Sequence, residues 1–209
     1  MSDAQILTLT DIDFIAKGSH KQCFRHPQYK TRCIKVPYNE AGKVDLNREI
    51  FYLTHILKNR GPQSGILPRY YGKVQTNLGE GHVFDLVCDY DGHVSQSLET
   101  LLKQNTLSDS QLVSLKQALL DLRNRMLGHR VISMSIYPEN ILYQKINEHN
   151  FRLMFINDMG SGSSLAFEYF LPFMATRKIK RYWNRFIISW QKKLPPQLQV
   201  LVQDLAFPQ

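Results

Sequence analysis

Cysteine is scarce and unpatterned in this sequence: Cys23, Cys33 and Cys88 are three in number, and no two of them have the spacing of metal ligands. An odd count without such spacing argues against a disulfide framework and makes a reducing, cytoplasmic setting the expectation. Nowhere do apolar residues run unbroken for about 18 positions, the length that a membrane-spanning helix needs. The stretch from Met1 to Ala16 lacks the basic segment followed by a long apolar core that marks a secretory leader. Repeats, low-complexity tracts and Gly/Ser-rich linkers are also missing, so nothing in the composition cuts the chain into separate units.

What is present is ordinary in amount and biased in sign. With 209 residues, 43% of them hydrophobic, the chain can bury a core as one domain or as two small lobes sharing an interface. The formal charge of +8 favours an anionic partner, whether a nucleotide, a nucleic acid or an acidic membrane surface, without choosing among them.

Hydrophobic periodicity divides the chain near Asp91. Before it, short runs at Phe14-Ile15-Ala16, Gln22-Cys23-Phe24 and Thr31 to Val36 read as strands, the last of them rich in apolar and β-branched residues. Leu46, Ile50, Leu53, Ile56 and Leu57 have helical spacing, which predicts a helix from Leu46 to Leu57 stopped by Gly61-Pro62. Two more strands are expected around Arg69 to Val74 and His82 to Cys88, with a turn at Gly79-Glu80-Gly81. After Asp91, a long helix capped at Ser108-Asp109-Ser110 and ended at Gly128 carries Leu112, Leu115, Leu119, Leu122 and Met126 on one face. A strand at Ile141-Leu142-Tyr143, a hairpin partner at Phe151 to Ile156 and a basic helix from about Ala175 to Lys193, closed by Pro195-Pro196, complete the reading.

On this framework four elements stand in an order with chemical meaning. Arg32-Cys33-Ile34-Lys35 resembles the V-A-I-K strand of protein kinases, and Glu49, 14 positions on in the predicted helix, stands where that superfamily's ion-pair partner belongs. Tyr137-Pro138-Glu139-Asn140-Ile141-Leu142 is similar to the back half of the kinase catalytic loop, and Asn157-Asp158-Met159-Gly160 resembles D-F-G. Taken singly, a strand lysine, a helix glutamate or an Asp-x-Gly turn is an ordinary surface feature. The four together, in order, imply an α+β, protein-kinase-like, two-lobed fold, with a β-rich N-lobe over 1–91 and a reduced, mainly helical C-lobe over 92–209 acting as one functional unit.

The resemblance also implies roles. Lys35 and Glu49 would form the catalytic ion pair, and Asn140 and Asp158 would hold Mg²⁺. ATP would meet Gly18, Lys21, Lys35, Asp89, Tyr90 and Glu139: the first two belong to a turn that keeps one of three loop glycines, and Leu86-Val87-Cys88-Asp89-Tyr90 resembles the adenine-reading hinge.

Three departures limit what such a site does. Ser133-Met134-Ser135 stands where kinases have H-R-D, so Ser135 replaces the aspartate that accepts the substrate proton, and a hydroxyl is no carboxylate base near neutral pH. The interval from Asn140 to Asp158 is longer than is usual, so the intervening hairpin carries extra residues. Only Ser161 to Met174 separates Gly160 from the basic helix, which leaves no room for a full activation segment and peptide-docking helices.

A narrower resemblance spans nearly the whole chain. Gly18-x-His20-x-x-Cys23-Phe24, His26-Pro27, Arg32-Cys33-Ile34-Lys35, Phe84-Asp85, Asp89-Tyr90-Asp91-Gly92, Met134-Ser135-Ile136-x-Pro138-x-Asn140-Ile141-Leu142 and Trp183-x-Arg185-Phe186-Ile187 are similar to the YrbL family of bacterial PhoP regulatory network proteins. That resemblance implies a regulatory protein of a Mg²⁺-responsive network. The expected function is a nucleotide-binding pseudokinase or very weak kinase that works through a protein partner. The alternatives are an active atypical phosphotransferase, with a small-molecule, lipopolysaccharide or protein acceptor, and a module that binds RNA or an anionic surface. The last would use the basic helix, where Arg177, Lys178, Lys180, Arg181 and Arg185 alternate with Tyr182, Trp183 and Phe186; its helical spacing favours inward packing of Ile179, Trp183, Phe186 and Trp190 with the cations left in solvent.

Overall fold

The computed structural model describes residues 6–58, 60, 64–104, 106–162 and 167–208. Its architecture is α+β. Five strands form one antiparallel sheet: β1 (Phe14–Lys17), β2 (Lys21–His26), β3 (Tyr29–Pro37), β4 (Tyr70–Thr76) and β5 (Gly79–Asp85), in the order β1-β2-β3-β5-β4. The central strand β3 is buried from Cys33 to Val36, on both of its faces. Ile34 and Val36 pack with Leu7, Leu9, Phe24 and Val83 on one side. Cys33 packs with Phe84 and with Leu46 of the helix α1 (Glu40–Phe51) on the other. Because side chains alternate along a strand, Lys35 shares the α1 face with Cys33.

The first helix is longer than its apolar spacing indicates. It begins at Glu40 rather than Leu46, because Asn39 caps it by accepting from the Gly42 N–H at 2.8 Å. It continues beyond Phe51 as a wider π-type turn over Tyr52–Ile56. Gly42 permits close packing in the first turn: a Cβ there would lie 2.2 Å from the His20 carbonyl oxygen. The Gly61-Pro62 stop lies outside the described residues. The fifth strand ends at Asp85, earlier than expected, and Leu86 and Val87 lead from it to an isolated bridge between Cys88 and Val94.

The second half rests on helices and a small sheet. Strands β6 (Gln96–Ser97), β7 (Ile141–Lys145) and β8 (Phe151–Phe155) form a three-stranded antiparallel sheet. A short helix α2 (Leu98–Lys103) that the periodicity does not announce follows β6 directly, capped by Ser97. Helix α3 (Asp109–Gly128) has the expected bounds, with Ser108 and Gln111 forming a capping box, and buries all five of the expected apolar residues. Helix α4 (Pro172–Gln191) buries Ala175, Ile179, Trp183, Phe186, Ile187 and Trp190. Past it the chain makes another turn, at Pro196–Leu201, and Trp183 donates its indole N–H to the Leu205 carbonyl at 2.8 Å. These helices, the hairpin residues Leu153 and Phe155, and Tyr52 and Leu57 beyond α1 share one core.

Candidate functional site

The sheet, α1 and the end of the β7–β8 hairpin meet at one ammonium group. Lys35 is paired in register with Cys23 on β2 and His82 on β5, so its strand is held from both sides. Its Nζ lies 3.1 Å from Glu49 Oε1, 2.5 Å from the Ile156 carbonyl and 3.2 Å from Asn157 Oδ1. An ammonium has three N–H groups, and all three of these are in use. Below it the Phe84 ring centroid lies 4.3 Å away. Glu49 takes a second cation: Lys21 Nζ is 3.3 Å from Glu49 Oε2.

Electrostatics favour the charged forms despite burial. Lys35 is 6% exposed and Glu49 is 1% exposed, so desolvation alone would neutralise both. Burial does push the Glu49 pKa upward, but Lys35 and then Lys21 outweigh it, and the net value is below the ordinary carboxylate range. For Lys35 burial acts downward, the Glu49 carboxylate acts upward, and the net value is above the ordinary lysine range.

The loop from Arg130 to Asn140 is tied to the same place by two routes. Tyr52, in the π-type turn beyond α1, donates its hydroxyl proton to the Arg130 carbonyl at 3.0 Å and accepts the Ile132 N–H at 2.8 Å. Further on, the Asp158 carbonyl accepts the Met134 N–H at 3.2 Å and the Ser133 hydroxyl at 3.3 Å. Asp158 itself is left-handed, φ 59°, a conformation that aspartate tolerates better than most residues. Gly160, also left-handed at φ 102°, donates its N–H to the Ile132 carbonyl at 2.9 Å.

Asn140 joins this loop to the ammonium. Its Oδ1 accepts Asn157 Nδ2 at 3.3 Å, and its own Nδ2 donates to the Ser135 carbonyl at 3.4 Å. Lys35, Glu49, Asn140 and Asn157 therefore form one continuous hydrogen-bonded chain, with Lys21 on its outer end. Asp158 joins through its backbone only; among the described residues its carboxylate makes no hydrogen bond and no ion pair. The half-exposed Ser135 side chain makes none either, and Glu139 is exposed in the turn Pro138–Asn140.

The remaining expected contacts sit apart from this chain or are already engaged. The Gly18 N–H donates to the Lys21 carbonyl at 2.9 Å, and the Gly18 carbonyl accepts the Tyr38 hydroxyl at 2.8 Å. In the hinge-like segment the Asp89 N–H goes to the His93 carbonyl and the Tyr90 N–H to the Lys145 carbonyl, at 2.8 and 3.0 Å. The Asp89 carboxylate accepts the Ser95 hydroxyl and the Lys145 N–H.

Two features had no signal in the sequence. Asn157 is one: it adjoins Asp158, and no spacing rule tells which of two neighbours turns toward a lysine 122 positions away. The other is a buried cluster in which Lys178 of α4 donates to Glu168 and to the Ser161 hydroxyl, holding the segment after Gly160 against the helix. Burial acts to raise the Glu168 pKa, yet its bonds with Lys178 and Ser161 bring it below the ordinary range. Among the described residues there is no group of three or more His, Cys, Asp or Glu side chains placed to hold a metal.

Comparison with known proteins adds the family. Residues 7–191 match the model of the PhoP regulatory network protein YrbL family. The YrbL protein of Escherichia coli K12 is 30% identical over 200 residues, covering 92% of this chain and 94% of that one. The YrbL protein of Shigella flexneri matches with the same identity and coverage.

Proposed function

The chain belongs to the YrbL family of PhoP regulatory network proteins, and from that footing we propose that it is a kinase-like regulator that binds a nucleotide and does not transfer its phosphate efficiently. The observation that carries this reading is the Lys35–Glu49 pair: a lysine on the third strand and a glutamate on the next helix, 3.1 Å apart and buried, with the end of the second hairpin closing on the same ammonium. Protein kinases place their phosphate-holding lysine and its partner on these two elements. In this reading 1–91 is the N-lobe and 92–209 a reduced C-lobe.

The donor set suits the expected cofactor. Among the described residues Asp158 has an uncommitted carboxylate and Asn140 an amide oxygen shared with one donor, two hard oxygen ligands of the sort Mg²⁺ takes when phosphates and water supply the rest. Bound Mg²⁺ would neutralise phosphate charge. On this chain's side, Lys21 is the cation with donors to spare, since among the described residues Glu49 is its one ion-pair partner. Lys35 orders Glu49, Ile156 and Asn157 around itself.

Efficient transfer is not part of the proposal, because Ser135 brings a hydroxyl where a proton acceptor is needed. The test is a thermal-shift titration of the full chain with ATP, with and without Mg²⁺, beside labelled γ-phosphate transfer. Stabilisation that requires Mg²⁺ and is reduced by Asp158→Ala, without detectable transfer, is the expected result. No stabilisation at millimolar ATP overturns nucleotide binding; transfer abolished by Asp158→Ala establishes an active atypical phosphotransferase instead.

A further inference from the structure

We propose that the outward face of α4 docks the protein on an anionic lipid bilayer. The inward face of this helix is spent on the core. The outward face carries Phe173, Arg177, Arg181, Arg185 and Ile188, all exposed and recurring at steps of three or four, hence in one stripe. From Arg177 to Ile188 the stripe is about 17 Å long at the rise of an α-helix.

Its charge is unopposed. The helix contains no Asp or Glu, and its one ion-paired cation among the described residues is Lys178, buried against Glu168. Arg181 and Arg185 rest near the Tyr182 ring, 5.4 and 5.9 Å from its centroid, and neither has a carboxylate partner among the described residues. Between them and Lys192 lies a shallow depression of about 500 Å³, lined also by Asn184, Ile188 and Ser189, which is space for a phosphate-bearing headgroup.

The apolar residues favour a lipid surface over a nucleic acid. Phe167 and Phe170 just before the helix and Phe173 in its first turn are 53%, 72% and 68% exposed, all ahead of the helix's first cation in the chain. Large apolar side chains clustered in water mark an interaction site. Single-stranded nucleic acid is gripped by exposed aromatics on which successive bases stack along the charged track; here the ring among the arginines, Tyr182, is half-buried under Arg181 and Arg185, and the exposed apolar residue beyond them, Ile188, has no ring to stack. A helix with cations along one line and phenylalanines at one end matches an interfacial surface, where rings enter the acyl boundary and arginines meet headgroup phosphate.

The test uses the full chain in co-sedimentation with phosphatidylcholine vesicles, with and without phosphatidylglycerol, at low and high salt. Binding at least about tenfold stronger to the anionic vesicles, and weakened by salt, is expected. Arg177→Glu/Arg181→Glu/Arg185→Glu abolishes it with an unchanged melting temperature, Phe170→Ser/Phe173→Ser weakens it at high salt, and Lys30→Glu on a distant exposed strand residue leaves it intact. Equal binding to both vesicle types, or wild-type binding by the triple variant, overturns the proposal. Tighter binding to a single-stranded RNA, lost in the same triple variant while vesicles remain unbound, overturns it in favour of a nucleic-acid surface.

Discussion

Asn157 presents its amide oxygen to the Lys35 ammonium at 3.2 Å while its amide nitrogen reaches Asn140 at 3.3 Å, so a single side chain spans the gap between strand lysine and loop asparagine. The neighbouring Asp158, which the motif singles out, makes no side-chain hydrogen bond to either of them. Asn157→Ala removes both bonds and leaves one Lys35 donor without a partner. A loss of about 1.5–3 kcal/mol is expected in urea denaturation, the range for hydrogen bonds to charged groups. Unchanged stability would mean that the bridge is not made in solution.

Glu49 sets the pH limits of the site. Its folded pKa is depressed, so its contribution to stability is present above the unfolded carboxylate value and lost as pH falls through the lower folded one. The Lys35 pKa is raised, so its contribution is present below the unfolded lysine value and lost as pH rises through the higher folded one. Glu49→Gln breaks a buried pair on one side, for which about 3–5 kcal/mol is typical. It should also flatten the acid limb of the stability–pH profile, which chemical denaturation at a series of pH values measures.

In the proposed reading Lys21 meets phosphate and Lys35 holds the site together, which two variants separate. Lys21→Ala leaves Glu49 paired with Lys35 and should keep the melting temperature close to wild type while reducing stabilisation by ATP. Lys35→Ala should lower the melting temperature itself, because three acceptors lose a shared donor. If Lys21→Ala leaves ATP stabilisation intact, the assignment of Lys21 to phosphate is wrong.

Tyr52 fixes the spacing between α1 and the loop that leads to Ser135. Burial pushes its phenol well above the ordinary tyrosine range, so the hydroxyl stays a donor to Arg130 and an acceptor for Ile132. Tyr52→Phe strands the Ile132 N–H in a dry place, at a cost of about 1–3 kcal/mol. Amide hydrogen exchange at Ile132 should accelerate, and unchanged protection there would contradict the role.

Gly42→Ala tests the approach of α1 to the turn that carries Lys21. The added Cβ meets backbone, the His20 carbonyl, and not a side chain that can swing away. Overpacking of this kind costs about 1–3 kcal/mol. A variant as stable as the wild type would show that the turn shifts freely.

Much of this is legible in the amino-acid sequence. The apolar spacing of Leu112 to Met126 located α3 because a long helix with a capping box repeats its signal over many residues. Short elements lack that redundancy: α2 has six residues, and Asn39, which starts α1 early, acts through one side chain. Lys35 and Glu49 were found because their elements are regular and a motif order connects them. Asn157 was missed because a loop residue's direction depends on Lys35 and Asn140, which the fold alone brings to it.

Glu49 is one negative charge shared by two positive ones, so the buried cluster around it carries a surplus of +1. A protein interior does not hold such an imbalance without cost. An anion arriving beside Lys21 would settle that account rather than disturb it. The same surplus repels cations, so a free metal ion should enter this corner of the molecule only in the company of the anion that brings it.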